Sequence, residues 1–129
     1  LQQLYKRFGY YSEKVISKTL PGKDGLKDMQ RIMKTLRQNP PAQCGGFKVL
    51  AVRDYLQGTR TAGAEVTKLD SVPSDVLYYE LADGNWFCVR PSGTEPKIKL
   101  YLNTRSAASM EEAERLNDRL AQAAEELLV

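Results

Sequence analysis

The residues best suited to chemistry lie in one stretch, RPSGTEPKIKLYL, from Arg90 to Leu102. Arg90 closes the apolar run Trp86-Phe87-Cys88-Val89, which places a guanidinium where a strand ends. Pro91 has no N–H and a fixed φ. Ser92, Gly93 and Thr94 then supply consecutive backbone donors, two hydroxyls and one residue free to take positive φ. Such a run forms a concave nest of N–H groups suited to an anion. The planar fork of an arginine beside it matches the oxygens of a phosphate or carboxylate. Beyond Pro96, the alternation of a strand puts Lys97, Lys99 and Tyr101 on one face and Ile98, Leu100 and Leu102 on the other. The chemistry this pattern predicts is anion binding in a loop between two strands. By itself the SGT tripeptide is an ordinary turn, so the weight rests on the whole string.

Other chemistries find little support. Histidine, the commonest general base and metal ligand, is absent. The two cysteines, Cys44 and Cys88, fit no metal-ligand spacing; a disulfide between them is possible but unforced, and free thiols of a reducing compartment are the favoured reading. A net charge of +3 is mild and scattered, which favours a small anion over nucleic acid. No segment has the length and apolarity of a membrane span. At 129 residues, 42% hydrophobic and 27% charged, the chain suits one domain with a proper core.

The elements that must hold the loop can be read in order. Leu4 and Phe8 are at helical spacing, so the start reads as the tail of a helix closed by Gly9, with Tyr10 and Tyr11 crossing a joint. LQQLYKRFGYY, with no initiator Met, reads as the continuation of a longer chain. Glu13 to Leu20 reads as a strand, Pro21 to Gly25 as a turn, and Leu26 to Arg37 as a helix capped by Asp24 and stopped by Asn39-Pro40-Pro41. Its stripe, Leu26, Met29, Met33 and Leu36, is predicted to be core. Phe47 to Leu56 is a second strand. Gln57 to Asp75 has no clear period and is either mobile or hides a short element, with Val66 to Leu69 the candidate strand. VLYYEL and NWFCV, joined by Ala82-Asp83-Gly84, form a hairpin, and Lys97 to Asn103 follows the loop as a strand. Ser109 opens the last helix, to Val129, with Glu112 completing a capping box and Ala113, Leu116, Leu120, Ala123 and Leu127 as its buried stripe. The fold class predicted is α+β: β-α-β, then a β-meander, then α, with both helices on one face of a largely antiparallel sheet.

RPSGTEPKIKLYL closely resembles the phosphate-binding loop of the α-D-phosphohexomutases, the family of phosphoglucomutase, phosphomannomutase and phosphoglucosamine mutase. LYKRFGYY, KTLPGKDG, LRQNPP and VRDYLQG carry the resemblance, less specifically, over nearly the whole chain. It implies a TATA-box-binding-protein-like domain from residue 12 to residue 129, the fourth and last of a cytoplasmic enzyme, with residues 1 to 11 ending the third. The family interconverts hexose 1-phosphates and 6-phosphates through a hexose 1,6-bisphosphate. A phosphoserine and Mg²⁺-binding aspartates in the three preceding domains of the chain do the chemistry. None of those motifs is in this stretch, so the resemblance implies no catalytic or metal-ligating residue here, and no mutase activity from this stretch alone. It implies instead that Arg90, Ser92, Gly93 and Thr94 hold the phosphate of a phosphosugar that is not being transferred. Lys99 stands where relatives carry a basic residue and is either a further ligand or a solvated strand lysine; Lys97 is a weaker candidate, and Glu95 serves the turn or an interdomain contact. Two other readings stay open. One is a nucleic-acid module that stacks bases on Tyr79, Trp86 and Tyr101; the other is a free-standing phosphate-sensing domain.

Overall fold

In the computed structural model, residues 10–20, 22–70, 72–92 and 95–128 are described. The alternating apolar residues in the middle of the chain make the sheet, and every strand pairing in it is antiparallel. The strands are β1 (Tyr10–Thr19), β2 (Gln43–Cys44), β3 (Phe47–Asp54), β4 (Thr59–Ala62), β5 (Glu65–Lys68), β6 (Leu77–Leu81), β7 (Trp86–Pro91) and β8 (Lys97–Ser106). Their spatial order is β1-β8-β7-β6-β3-β4-β5, with β2 paired on β3. Among the described residues two α-helices complete the fold, α1 (Gly25–Gln38) and α2 (Met110–Glu126). Neither is long and apolar enough to cross a membrane.

Period-two alternation sorts the sheet into a covered and an open face. Leu77, Tyr79 and Leu81 of β6, Phe87 and Val89 of β7, and Ile98, Leu100 and Leu102 of β8 are buried in one cluster with Met29, Ile32, Met33 and Leu36 of α1 and Leu120, Ala121 and Ala124 of α2. The fold class read from the sequence is therefore the one observed. Tyr79 and Phe87, directly opposite in register, stack with ring centroids 4.5 Å apart. Among the described residues the buried Tyr79 hydroxyl has no hydrogen-bond partner. Burial pushes its pKa up, against the opposing pull of the Arg37 charge.

Polar bonds fix where the helices sit. Asn117, buried on α2, donates to the carbonyls of Ser12 (2.7 Å) and Leu102 (3.4 Å), which ties the helix to β1 and β8. Arg37, near the end of α1, donates to Asp54 at 3.1 Å and also to Asp75. At the tight β2–β3 turn, Gly45 has φ +60°, and a Cβ there would stand 2.8 Å from the Leu120 Cα. Only glycine lets that turn approach α2 so closely.

Several local readings are corrected. Tyr10 and Tyr11, read ahead of the first strand, belong to β1, opposite Ser106 and Arg105. The helix read before them, residues 1–8, lies outside the described residues. Leu26 is 47% exposed, and Ile32 takes its place in the core stripe of α1. A fourteen-residue helix drifts around its axis, so the stripe that meets the sheet is set by the packing angle. Asp24 makes no side-chain cap bond. The strand read to Leu56 ends at Asp54, where the Asp54 carboxylate accepts from the Leu56 and Gln57 amides and turns the chain. The segment after it is no structureless loop but the β4–β5 hairpin, which includes the strand sought near Val66. Every residue of β5 is exposed, which leaves the strand no apolar rhythm to read. The β6–β7 connection is the expected Ala82-Asp83-Gly84 turn, with Asp83 at φ +64°. Ser109 accepts from the Glu112 amide at 3.0 Å, but its own amide goes to the Ser106 hydroxyl at 3.5 Å, so half of the capping box is replaced.

Candidate functional site

The loop joins the end of β7 to the start of β8. Backbone bonds close it: the Ser92 amide donates to the Lys97 carbonyl at 2.8 Å, and the Lys97 amide to the Glu95 carbonyl at 2.8 Å. The Ser92 hydroxyl accepts from the Glu95 amide at 3.3 Å, which orients the oxygen and leaves its proton free to donate. The Ser92 amide itself is thus engaged in closing the turn and is not an outward donor, a correction to the nest read from the sequence. Gly93 and Thr94 lie outside the described residues.

A second segment braces the loop from behind. Leu20, after β1, donates its amide to the Pro96 carbonyl at 2.7 Å. Gly25, at the start of α1, lies so close that a Cβ would be 2.7 Å from the Pro96 Cβ and 2.6 Å from the Leu20 carbonyl oxygen. The KTLPGKDG segment therefore has a physical role: it lets the first turn of α1 press against the loop.

Arg90 and Lys99 are directly opposite in register, both exposed and on the same face. Like charges placed so are destabilising unless something neutralises them. Nearby cations have such a partner. Arg53 and Arg60 both bond Glu80, at 2.8 and 2.7 Å, and Lys97 bonds Glu95 at 3.0 Å. Among the described residues no carboxylate lies within salt-bridge distance of Arg90 or Lys99. The two line a cavity of about 230 Å³ together with Pro91, Ser92 and Tyr101. Lys97, engaged with Glu95, is not part of that wall.

The structure brings Arg90, Ser92 and Lys99, three of the residues read as a site, to one cavity, and the sequence reading missed Tyr101 as a wall of it. The signal was there: Tyr101 is two residues from Lys99 on one strand face. Cys88 pairs with Tyr101 in register, and burial pushes its thiol up to about 11, with the Arg90 charge opposing. A larger cavity, about 450 Å³, lies at the other end of β8 between Asp83, Arg105 and Glu112. Its Asn85 and Ser106 side chains are already bonded to backbone groups, and no pair of unopposed cations faces it.

Tyr79 lies on the covered side, fully buried. Tyr78 is closed in between the Arg53 guanidinium, 4.6 Å from its centroid, and the Trp86 ring, 5.0 Å away. Among the described residues no three of His, Cys, Asp and Glu converge as metal ligands would.

Residues 20–123 match the family model of the phosphoglucomutase/phosphomannomutase C-terminal domain. Phosphoglucomutases from two strains of Staphylococcus aureus are each 36% identical, over 119 and 124 residues, covering 91% of this chain. The chain spans only 21% of their length. The crystal structure of pp63/parafusin, an exocytosis-sensitive phosphoprotein and phosphoglucomutase from Paramecium in its open form, shares the fold. Its TM-score is 0.61 at 19% identity, covering 98% of this chain and 21% of that one. This chain belongs to the phosphoglucomutase/phosphomannomutase C-terminal domain family.

Proposed function

We propose that this domain grips the non-transferred phosphate of a phosphosugar inside a phosphohexomutase, a phosphoglucomutase above all, that interconverts 1-phosphates and 6-phosphates. The observation that carries the reading is the pair of unopposed cations, Arg90 and Lys99, at the mouth of a closed Ser92 loop. A dianionic phosphate there removes a like-charge repulsion and accepts charge-assisted bonds from both groups. Ser92 adds a hydroxyl, and Gly93 and Thr94 complete the ligand set by family likeness.

Phosphoryl transfer is largely positioning and electrostatics. A loop that reads only the phosphate is indifferent to whether the sugar presents its 1-position or its 6-position to the reacting centre. The domain acts as a handle. The phosphoryl donor, the Mg²⁺ and the bound hexose 1,6-bisphosphate belong, on this reading, to the three preceding domains of a cytoplasmic chain.

The test is a binding comparison on this chain. Glucose 1-phosphate and glucose 6-phosphate should bind with affinities within about threefold of each other, and Arg90→Ala should weaken both by about ten- to a hundredfold. A tenfold preference for one isomer, or indifference to Arg90→Ala, would sink the proposal. Wild-type chain should show no mutase turnover of either.

A further inference from the structure

The cavity at the loop is larger than a phosphate needs. At about 30 Å³ per water, its roughly 230 Å³ would hold about eight waters, more than the five heavy atoms of phosphate. Its far wall is Tyr101. Along β8 this residue is one strand repeat from Lys99, about 6.6–6.8 Å further from the loop. It is half-buried, and among the described residues its hydroxyl makes no hydrogen bond to another side chain or to the backbone. A half-buried phenol without a partner, lining a polar cavity whose cations face the loop end, is placed to donate to whatever is esterified to the phosphate.

We infer that Tyr101 reads the sugar side of the ligand, donating its hydroxyl to the oxygen on the carbon next to the phosphorylated one. This rests on the phosphate reading of the loop and adds a specificity residue to it. Both orientations of a hexose phosphate satisfy the requirement. Beside C1 the oxygen is the 2-hydroxyl; beside C6 it is the ring oxygen on C5. A Tyr hydroxyl suits the task because it donates without charge and rotates to either acceptor. A simple alkyl phosphate offers no oxygen there. The site would therefore favour polyol and sugar phosphates over inorganic phosphate and alkyl esters while remaining blind to sugar orientation.

The experiment is a set of titrations of this chain and of Tyr101→Phe, which keeps the ring and its packing and removes only the hydroxyl. The probes are inorganic phosphate, ethyl phosphate, glucose 1-phosphate and glucose 6-phosphate, read by the Ser92 and Lys99 amide resonances. Wild-type chain should prefer both glucose phosphates over ethyl phosphate by about two- to tenfold. Tyr101→Phe should lose that preference and bind inorganic and ethyl phosphate as before. Equal weakening toward all four probes would mean that Tyr101 serves the phosphate, and unchanged binding of all four would mean that it serves nothing. Either result overturns the inference while leaving the anion site standing. A wild-type chain whose loop ignores inorganic phosphate would overturn the site itself.

Discussion

Arg90→Ala separates a binding arginine from a structural one, because the two roles have opposite signatures in a thermal melt. Arg90 is exposed and, among the described residues, without a carboxylate partner. Removing it in the absence of anion therefore deletes no ion pair and relieves a repulsion from Lys99. Exposure keeps that repulsion below about 1 kcal/mol. The variant should melt within about 2 °C of wild type, the scale of an ordinary surface substitution. Phosphate changes the comparison. Two charge-assisted contacts at about 1.5–3 kcal/mol each bracket the roughly 4 kcal/mol of a Kd near 1 mM. At about 10 mM phosphate such a site stabilises the native state by RT ln 11, about 1.4 kcal/mol. For a 129-residue domain, with an unfolding entropy of about 2.1 cal/mol/K per residue, that raises Tm by about 5 °C. Arg90→Ala, one contact short, should gain about 1 °C or less. Arg90→Lys, which keeps the charge and loses the fork, should fall between. The assay is differential scanning calorimetry with and without phosphate, with chloride matching the ionic strength. A full phosphate shift in Arg90→Ala would refute the site. A loss of several degrees in Arg90→Ala without phosphate would show that the side chain holds the fold.

Glu80 is held down to about 2, chiefly by its hydrogen bond to Arg60, with Arg53 adding to it and partial burial opposing. A depressed carboxylate stabilises above its unfolded pKa and loses that contribution as pH falls through the folded one. Glu80→Gln should therefore cost about 1 kcal/mol at pH 7 by urea unfolding, and the gap from wild type should close between about pH 4.5 and pH 2. Asn117→Ala removes the bonds that tie α2 to the Ser12 and Leu102 carbonyls and should cost about 1–3 kcal/mol by the same measurement. Gly25→Ala drives a methyl into Pro96 and the Leu20 carbonyl, so it should cost about 1–3 kcal/mol and also shrink the phosphate-induced Tm shift. Burial raises both thiols to about 11, so both should react slowly with Ellman's reagent at pH 8, and buried Cys44 more slowly than half-buried Cys88.

What the linear sequence determined by itself was whatever local chemistry controls. Tyr79, Phe87, Val89, Leu100 and Leu102 alternate strictly, and period two leaves only one way to bury them. Asp83-Gly84 supplies two residues that tolerate positive φ, so the hairpin was legible. Ser109 with Glu112 announces a helix start, and RPSGTEP carries its own turn chemistry and charge. The tertiary structure decided what depends on a neighbour far along the chain. Which residues of α1 are core follows from the angle at which the helix meets the sheet, so Leu26 and Ile32 exchange roles. The β4–β5 hairpin exists because β3 offers it an edge to pair with, and backbone hydrogen bonds leave no hydrophobic trace in residues 59–68. The closeness of Gly25 to Pro96 is likewise invisible in a string where they lie far apart. Above all, charge pairing is a property of space: Arg53, Arg60 and Arg90 look alike in the sequence, but Glu80 neutralises the first two and leaves Arg90 facing Lys99 across a ladder, with their charges available to an anion.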